Sequence, residues 1–293
     1  MSQWLADPLI QSVILPLLIS AILSGLLGFG SGKTIGPRIA AAAIPMGFIV
    51  CYWAIVGWPA FPPVSSTQKI VYLILFGAVI GVIFDLTQRA DNADKMRWIG
   101  PVVWSGAIVG WMGWRMIATP SIPGLATISS LWLAGAFVIY AARATRGGGS
   151  VPAVMLLIAA IGVSLIALMG SSASFAQLSG GLAAATGGFM LWNWPKSRFS
   201  FEWAGAFGGM GALLSLVAAL VLFTDASKLA LILILPVFFA ERLAVRLPLA
   251  SRPVLAPFVL AAVCLVPVAV AVLVAYQSSG GGSGYAFNME VSY

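Results

Sequence analysis

Two acid–base combinations and one lone arginine stand inside or at the edge of long apolar stretches of this 293-residue chain. They are Glu241 with Arg242, Asp85 with Arg89 four residues later, and Arg115. Ionisable side chains in such segments are costly to bury and often mark a substrate path. Glu241 with Arg242 is the first candidate, because a half-buried pair persists only where each member finds its partner. The alternative is that all five are interfacial residues that pair or reach the membrane surface.

A second chemical possibility is the acidic pair Asp91 and Asp94 in a polar connection. Carboxylates three residues apart on a helix face the same way, and hard cations such as Mg²⁺ bind oxygen ligands. Such a pair would suit an enzyme that modifies a lipid-linked phosphate. Lys95 and Arg97 follow directly and can neutralise it, so a solvated charged connection is the favoured interpretation.

Several cofactors are excluded by residue type. The chain contains no histidine, so histidine-ligated haem, chlorophyll or metal cannot be held. Its two cysteines, Cys51 and Cys264, lie in separate apolar runs and form no metal-binding spacing. We therefore expect no metal site and no cofactor, and a non-enzymatic role is favoured over an enzymatic one. A bound lipid is compatible with this composition.

The composition is that of a membrane protein. Hydrophobic residues make up 61% of the chain, charged residues only 8%, and the mean hydropathy is +1.04. A soluble domain carries about 25% charged residues. The chain therefore requires the lipid bilayer as its partner.

The positions of the basic residues predict how the chain is threaded. Of fifteen lysines and arginines, twelve fall into every second gap between the apolar runs. These are Lys33, Arg38, Arg89, Lys95, Arg97, Arg143, Arg146, Lys196, Arg198, Arg242, Arg246 and Arg252. Because cationic connections stay in the cytoplasm, both ends are predicted outside, in the periplasm of a bacterial-type inner membrane. The net charge of +7 is spread over these short connections, so no nucleic-acid partner is expected.

Ten apolar stretches are long enough to cross the hydrocarbon core, so the predicted fold is an all-α polytopic membrane bundle. The predicted crossings are 9–29, 38–57, 69–87, 98–118, 125–142, 151–170, 174–193, 202–223, 227–245 and 253–276. Together they form one helical domain, 1–277, in which Pro236 and three other prolines favour kinks. No connection is long enough to fold as a separate domain.

Small residues and tryptophans predict how the helices pack. Glycine pairs at four-residue spacing provide smooth faces for close helix contact or for other membrane subunits. They are Gly77 with Gly81, Gly106 with Gly110, and Gly205 with Gly209. Tryptophans near predicted helix ends, such as Trp192, are expected to form an aromatic belt at the headgroups.

The last sixteen residues change character. A Gly/Ser-rich linker begins at Ser278 and leads into a tail with Tyr285, Phe287 and Tyr293. Such a composition is typical of a flexible outer segment. Alternatively, the three aromatic residues dock on a partner subunit.

Three functions fit these features. The first is a carrier for a small neutral or weakly polar solute; five crossings per half would allow an inverted repeat, which is common in carriers. The second, of nearly equal weight, is a non-catalytic structural or accessory subunit of a larger membrane complex. A lipid-phosphate-modifying enzyme that uses Asp91 and Asp94 is a distant third.

Overall fold

The computed structural model describes residues 7–87, 93–145, 148–170, 172–248 and 252–280. Within these ranges the chain consists of helices and turns, without a β-strand. The predicted all-α class is therefore confirmed for this part of the chain. Arg89, Asp91 and the tail residues Tyr285, Phe287 and Tyr293 lie outside the described residues.

Ten helical segments follow one another in the described residues, close to the predicted positions. They are α1 (Ile10–Gly30), α2 (Gly36–Val56), α3 (Ser66–Thr87), α4 (Ala93–Met112), α5 (Ile122–Ala144), α6 (Ser150–Met169), α7 (Ala173–Trp192), α8 (Ala204–Phe223), α9 (228–244) and α10 (Ala256–Gly280). A short helix at Trp114–Ala118 follows α4. Helix α10 continues three residues beyond the predicted domain boundary at 277.

Seven helices in the described residues are long and apolar enough to cross a membrane, namely α1, α2, α3, α5, α6, α8 and α10. Helix α4 starts with Lys95 and Arg97, and α7 is rich in glycine and serine, so both are less apolar. Segment α9 is broken into short pieces. The seven helices indicate a multi-pass membrane protein in contact with the bilayer. The count of ten crossings and the direction of the two ends stay predictions.

The described connections after α1, α5, α7 and α9 lie at one end of the bundle, here called the cation-rich end. The N–H of Ser200 donates to the carbonyl of Pro37 at 2.9 Å, which joins the connections after α7 and α1. The indole of Trp194 donates to the carbonyl of Val254 at 3.2 Å, which joins those after α7 and α9. The described connections after α2, α4, α6 and α8 form the opposite, cation-poor end.

Helix α8 lies at the centre of the bundle, and every residue from 203 to 216 is buried. Helix α3 packs along it through two glycines. A Cβ at Gly77 would lie 2.6 Å from the carbonyl oxygen of Phe207, and one at Gly81 would lie 2.5 Å from that of Trp203. Only glycine allows this approach of two backbones, which in lipid replaces the hydrophobic drive for helix association.

The other predicted glycines differ in what they contact. Within α8, a Cβ at Gly205 or Gly209 would meet apolar side chains at 2.9 and 3.0 Å. Gly106 of α4 faces an indole of α5, 3.1 Å from its Cβ position. At Gly110 nothing lies within 4 Å, so this glycine provides no close helix contact.

Candidate functional site

A cavity of about 550 Å³ opens at the cation-rich end of the bundle. It lies between the first turns of α6 and α10, the last turn of α9 and the loop after α7. Its polar wall residues are Ser150, Asn193, Lys196, Ser197 and Glu241, and most other wall residues are apolar. A largely apolar cavity with a few converging polar groups is the usual form of a small-molecule site.

The loop after α7 is held in place by Asn193, which is only 1% exposed. Its side-chain oxygen accepts hydrogen bonds from the backbone N–H groups of Arg198 and Phe199, both at 2.9 Å. These bonds close a tight loop around the intervening residues. Lys196 and Ser197 are thereby fixed on the wall of the cavity.

Segment α9 is not a continuous α-helix, and this irregularity positions Glu241. Pro236 has no N–H to donate, and it is the second residue of a 3₁₀ stretch, Leu235–Phe239. The N–H of Ile234 donates to the carbonyl of Leu231 at 3.3 Å, and that of Val237 to Ile234 at 3.0 Å, each three residues back. The chain returns to an α-helical turn at Ala240–Ala244, where the half-buried Glu241 faces the cavity.

Two other predicted site residues, Arg242 and Arg115, lie away from the cavity. Arg242 is exposed, does not line the cavity, and carries its guanidinium carbon 5.7 Å from the ring centroid of Phe239. Arg115 is exposed in the short helix at the cation-poor end. Of the predicted site residues that the structure describes, only Glu241 lines the cavity.

Asp85 occupies a separate, buried position near the end of α3, with 1% of its surface exposed. One carboxylate oxygen accepts the N–H of Trp203 at 2.8 Å, and the other accepts that of Ala204 at 2.9 Å. These N–H groups lie at the start of α8, where a helix offers no backbone acceptor one turn earlier. The negative charge also complements the positive end of the α8 dipole. Asp85 therefore caps α8 from a neighbouring helix.

A half-buried ion pair lies beside this cap. The guanidinium of Arg143, at the end of α5, pairs with the carboxylate of Glu202 just before α8. Its central carbon lies 4.6 Å from the ring centroid of Trp203, within the range of a cation–π contact. With Asp85, these side chains tie α3, α5 and α8 together at the cation-rich end.

Sequence reasoning did not single out Arg143, Glu202 or the loop-fixing role of Asn193. The sequence held one signal for the ion pair: Arg143 and Glu202 carry opposite charges and lie at predicted connections on the same side of the membrane. No comparable local signal exists for Asn193, because its partners depend on how the loop closes.

In the part of the chain that the structure describes, no three His, Cys, Asp or Glu side chains are grouped to hold a metal ion. In comparisons with known proteins, no family model matches the chain, and no curated protein is significantly similar to it.

Proposed function

We propose that the chain is a multi-pass carrier for a small neutral or weakly polar solute, which crosses a bacterial-type inner membrane ten times with both ends outside. The observation that carries this proposal is the cavity of about 550 Å³ beside an interrupted helix. Irregular backbone at membrane depth is tolerated where it is buried in protein or lines a cavity. Transporters place their substrate sites beside such interrupted helices.

The packing of the two halves supports the same proposal. Helix α3 packs against α8, and α2 packs against α7, so helices at equivalent places in the halves α1–α5 and α6–α10 meet. The pairs α1–α2 and α6–α7 also pack in the same way. Carriers commonly consist of two such halves. The cavity itself lies within the second half, between α6, α9, α10 and the loop after α7.

The cavity wall favours an uncharged solute. Lys196 and Glu241 bring opposite charges that offset each other, while Ser150 and Ser197 add two hydroxyls. The amide of Asn193 is occupied by the loop that it fixes. The other wall residues are apolar. A solute with one or a few hydrogen-bonding groups can be oriented by these side chains without a net charge having to be buried.

A bulky side chain in the cavity tests the proposal. Val245 is 72% exposed and lines the cavity, so Val245→Trp places an indole there without disturbing a packed core. Leu243 is 57% exposed but does not line the cavity, which makes Leu243→Trp the matched control. In proteoliposomes supplied with labelled glycerol, erythritol, glucose and alanine, we expect uptake of at least one solute, reduced about tenfold or more by Val245→Trp alone. No uptake, or equal uptake by both variants, would contradict the proposal.

The accessory-subunit hypothesis predicts a different outcome. Gentle detergent extraction from the native membrane followed by sizing would then show stoichiometric partners travelling with the chain. A chain that travels alone and transports solute supports the carrier. The enzyme hypothesis is tested by Asp91→Ala, which should abolish phosphate-lipid turnover if that hypothesis is correct.

A further inference from the structure

A second cavity, of about 290 Å³, lies at the cation-poor end between α6, α10 and the connection that leads into α9. Its wall includes the last turns of α6 and α10 and the residues just before α9. The polar groups are the carboxylate of Asp225 and the hydroxyls of Ser227, Ser278 and Ser279. This cavity is separate from the one that contains Glu241.

The two cavities lie at opposite ends of α6 and α10. Val151 and Leu260 line the first cavity, and Ile166 and Ala275 line the second. In both α6 and α10, fifteen residues separate these positions, which corresponds to about 22 Å at the α-helical rise. Segment α9 runs between the same two cavities in the opposite direction. The interface between the three helices, here called the groove, therefore runs from one cavity to the other.

Between the cavities the groove is closed by an apolar contact. A Cβ at Gly162 of α6 would lie 3.0 Å from a methyl carbon of Val268 and 3.3 Å from one of Ile234. Ile234 is 4% exposed and Val268 is 3% exposed. No charged residue occurs in α6, in α10, or between Lys228 and Glu241 of α9. A solute that passes here meets only apolar groups.

The closing residue Ile234 has space behind it. An apolar cavity of about 50 Å³ lies between α9, α5 and α8, with Val163 of α6 also on its wall, and Ile234 is one of its wall residues. Ile234 also stands at the turn between the α-helical and 3₁₀ pieces of α9. A small rotation of this irregular segment can therefore move the side chain away from Val268 without displacing a packed helix.

We infer that the two cavities form one solute route along α6, α9 and α10, closed by the contact of Gly162, Ile234 and Val268, and that its solute is small, uncharged and hydroxylated. This inference rests on the proposed carrier function. The hydroxyls and carboxylates of the two mouths exchange hydrogen bonds with solute hydroxyls. The uncharged middle excludes ions, because a charge there would lose its hydration without gaining a partner.

Removing the closing side chains tests the route. The double variant Ile234→Ala, Val268→Ala is reconstituted in liposomes, and swelling in erythritol is followed by light scattering. The matched control is Ile232→Ala, Val270→Ala, which makes the same deletions on the same two helices at positions 59% and 47% exposed. We expect erythritol swelling at least tenfold faster than in the control, with glycerol 3-phosphate still excluded. Equal rates in both variants would overturn the route.

Two additions make the outcome specific. If the double variant does not elute as a folded protein, the single variant Ile234→Ala takes its place, with Ile232→Ala as its control. Adding Val245→Trp to the leaking variant should slow erythritol again, because the two cavities are in series; an unchanged leak would overturn the single route. If the double variant leaks but the native chain takes up no solute, the carrier function is refuted and the route is not. If the native chain takes up solute but the double variant does not leak, the route is refuted and the carrier function is not.

Discussion

Replacing Asp85 with alanine should destabilise the bundle more than any exposed carboxylate replacement does. The carboxylate is buried and accepts two backbone N–H groups, from Trp203 at 2.8 Å and Ala204 at 2.9 Å. Alanine leaves both donors without a partner. Neither can reach a carbonyl within its own helix, because they belong to the first turn of α8.

The expected loss follows from the two bonds. A hydrogen bond to a charged group contributes about 1.5–3 kcal/mol, so two contribute about 3–6 kcal/mol. Removing the carboxylate also relieves the free-energy cost of burying its charge, which offsets part of the loss. A net destabilisation of about 2–4 kcal/mol remains, which lowers the midpoint of thermal unfolding by about 5–10 °C in a protein of this size.

Thermal unfolding in detergent, followed by loss of the monodisperse sizing peak, measures this effect. Asp225→Ala is the control, since Asp225 is exposed in a connection at the cation-poor end. Asp85→Asn should fall between the native protein and Asp85→Ala, because the amide oxygen can still accept one of the two N–H groups. An Asp85→Ala midpoint within about 1 °C of the control would refute the assignment of this carboxylate as the cap of α8.

Two further predictions concern packing and charge. Gly81→Ala should lower the free energy of unfolding by about 1–3 kcal/mol, since the new methyl carbon would lie 2.5 Å from the carbonyl oxygen of Trp203. Gly110→Ala has no atom within 4 Å of the new methyl carbon, so it should be neutral or stabilising by up to about 1 kcal/mol. Thermal unfolding of the two variants checks this difference, and equal midpoints would contradict it. A double-mutant cycle of Arg143→Met and Glu202→Gln should give a coupling free energy of about 1 kcal/mol, modest because the side chains are 19% and 27% exposed. Strictly additive changes would show that the pair contributes nothing.

The positions of the helices could be predicted from the sequence because the bilayer sets their length. A crossing needs about twenty apolar residues, and the chain interrupts its apolar runs at that spacing. The prediction 151–170 corresponds to Ser150–Met169, and 174–193 corresponds to Ala173–Trp192. Both are displaced by a single residue. The predicted and observed helix bounds agree because they depend on the hydropathy of each residue, which can be read from the sequence without knowing the fold.

Contacts between distant residues could not be predicted in the same way. The sequence offered Arg89 as the partner of Asp85, because residues four apart on a helix are neighbours. Arg89 lies outside the described residues, so this pairing stays a prediction. In the described residues, the groups that donate to Asp85 lie 118 and 119 residues later, at the start of α8. Trp192, expected in an aromatic belt, donates its indole N–H to the carbonyl of Ala21 at 2.7 Å. In both cases the partner is a backbone group, which carries no signature in the residue type.

The polar groups at the cation-rich end divide into two sets with different physical consequences. Asp85 caps the start of α8, and Arg143 pairs with Glu202 just before it. Helix α8 is buried along most of its length, so displacing it would break many contacts at once. Glu241 and Lys196 instead face a cavity whose other walls include the interrupted α9. A segment held partly by 3₁₀ hydrogen bonds, with a void behind it, is easier to move than a capped central helix. Any movement that admits a solute should therefore occur in α6, α9 and α10, while α3 and α8 stay fixed. Cross-linking α3 to α8 should leave transport unchanged, whereas cross-linking α9 to α10 should abolish transport.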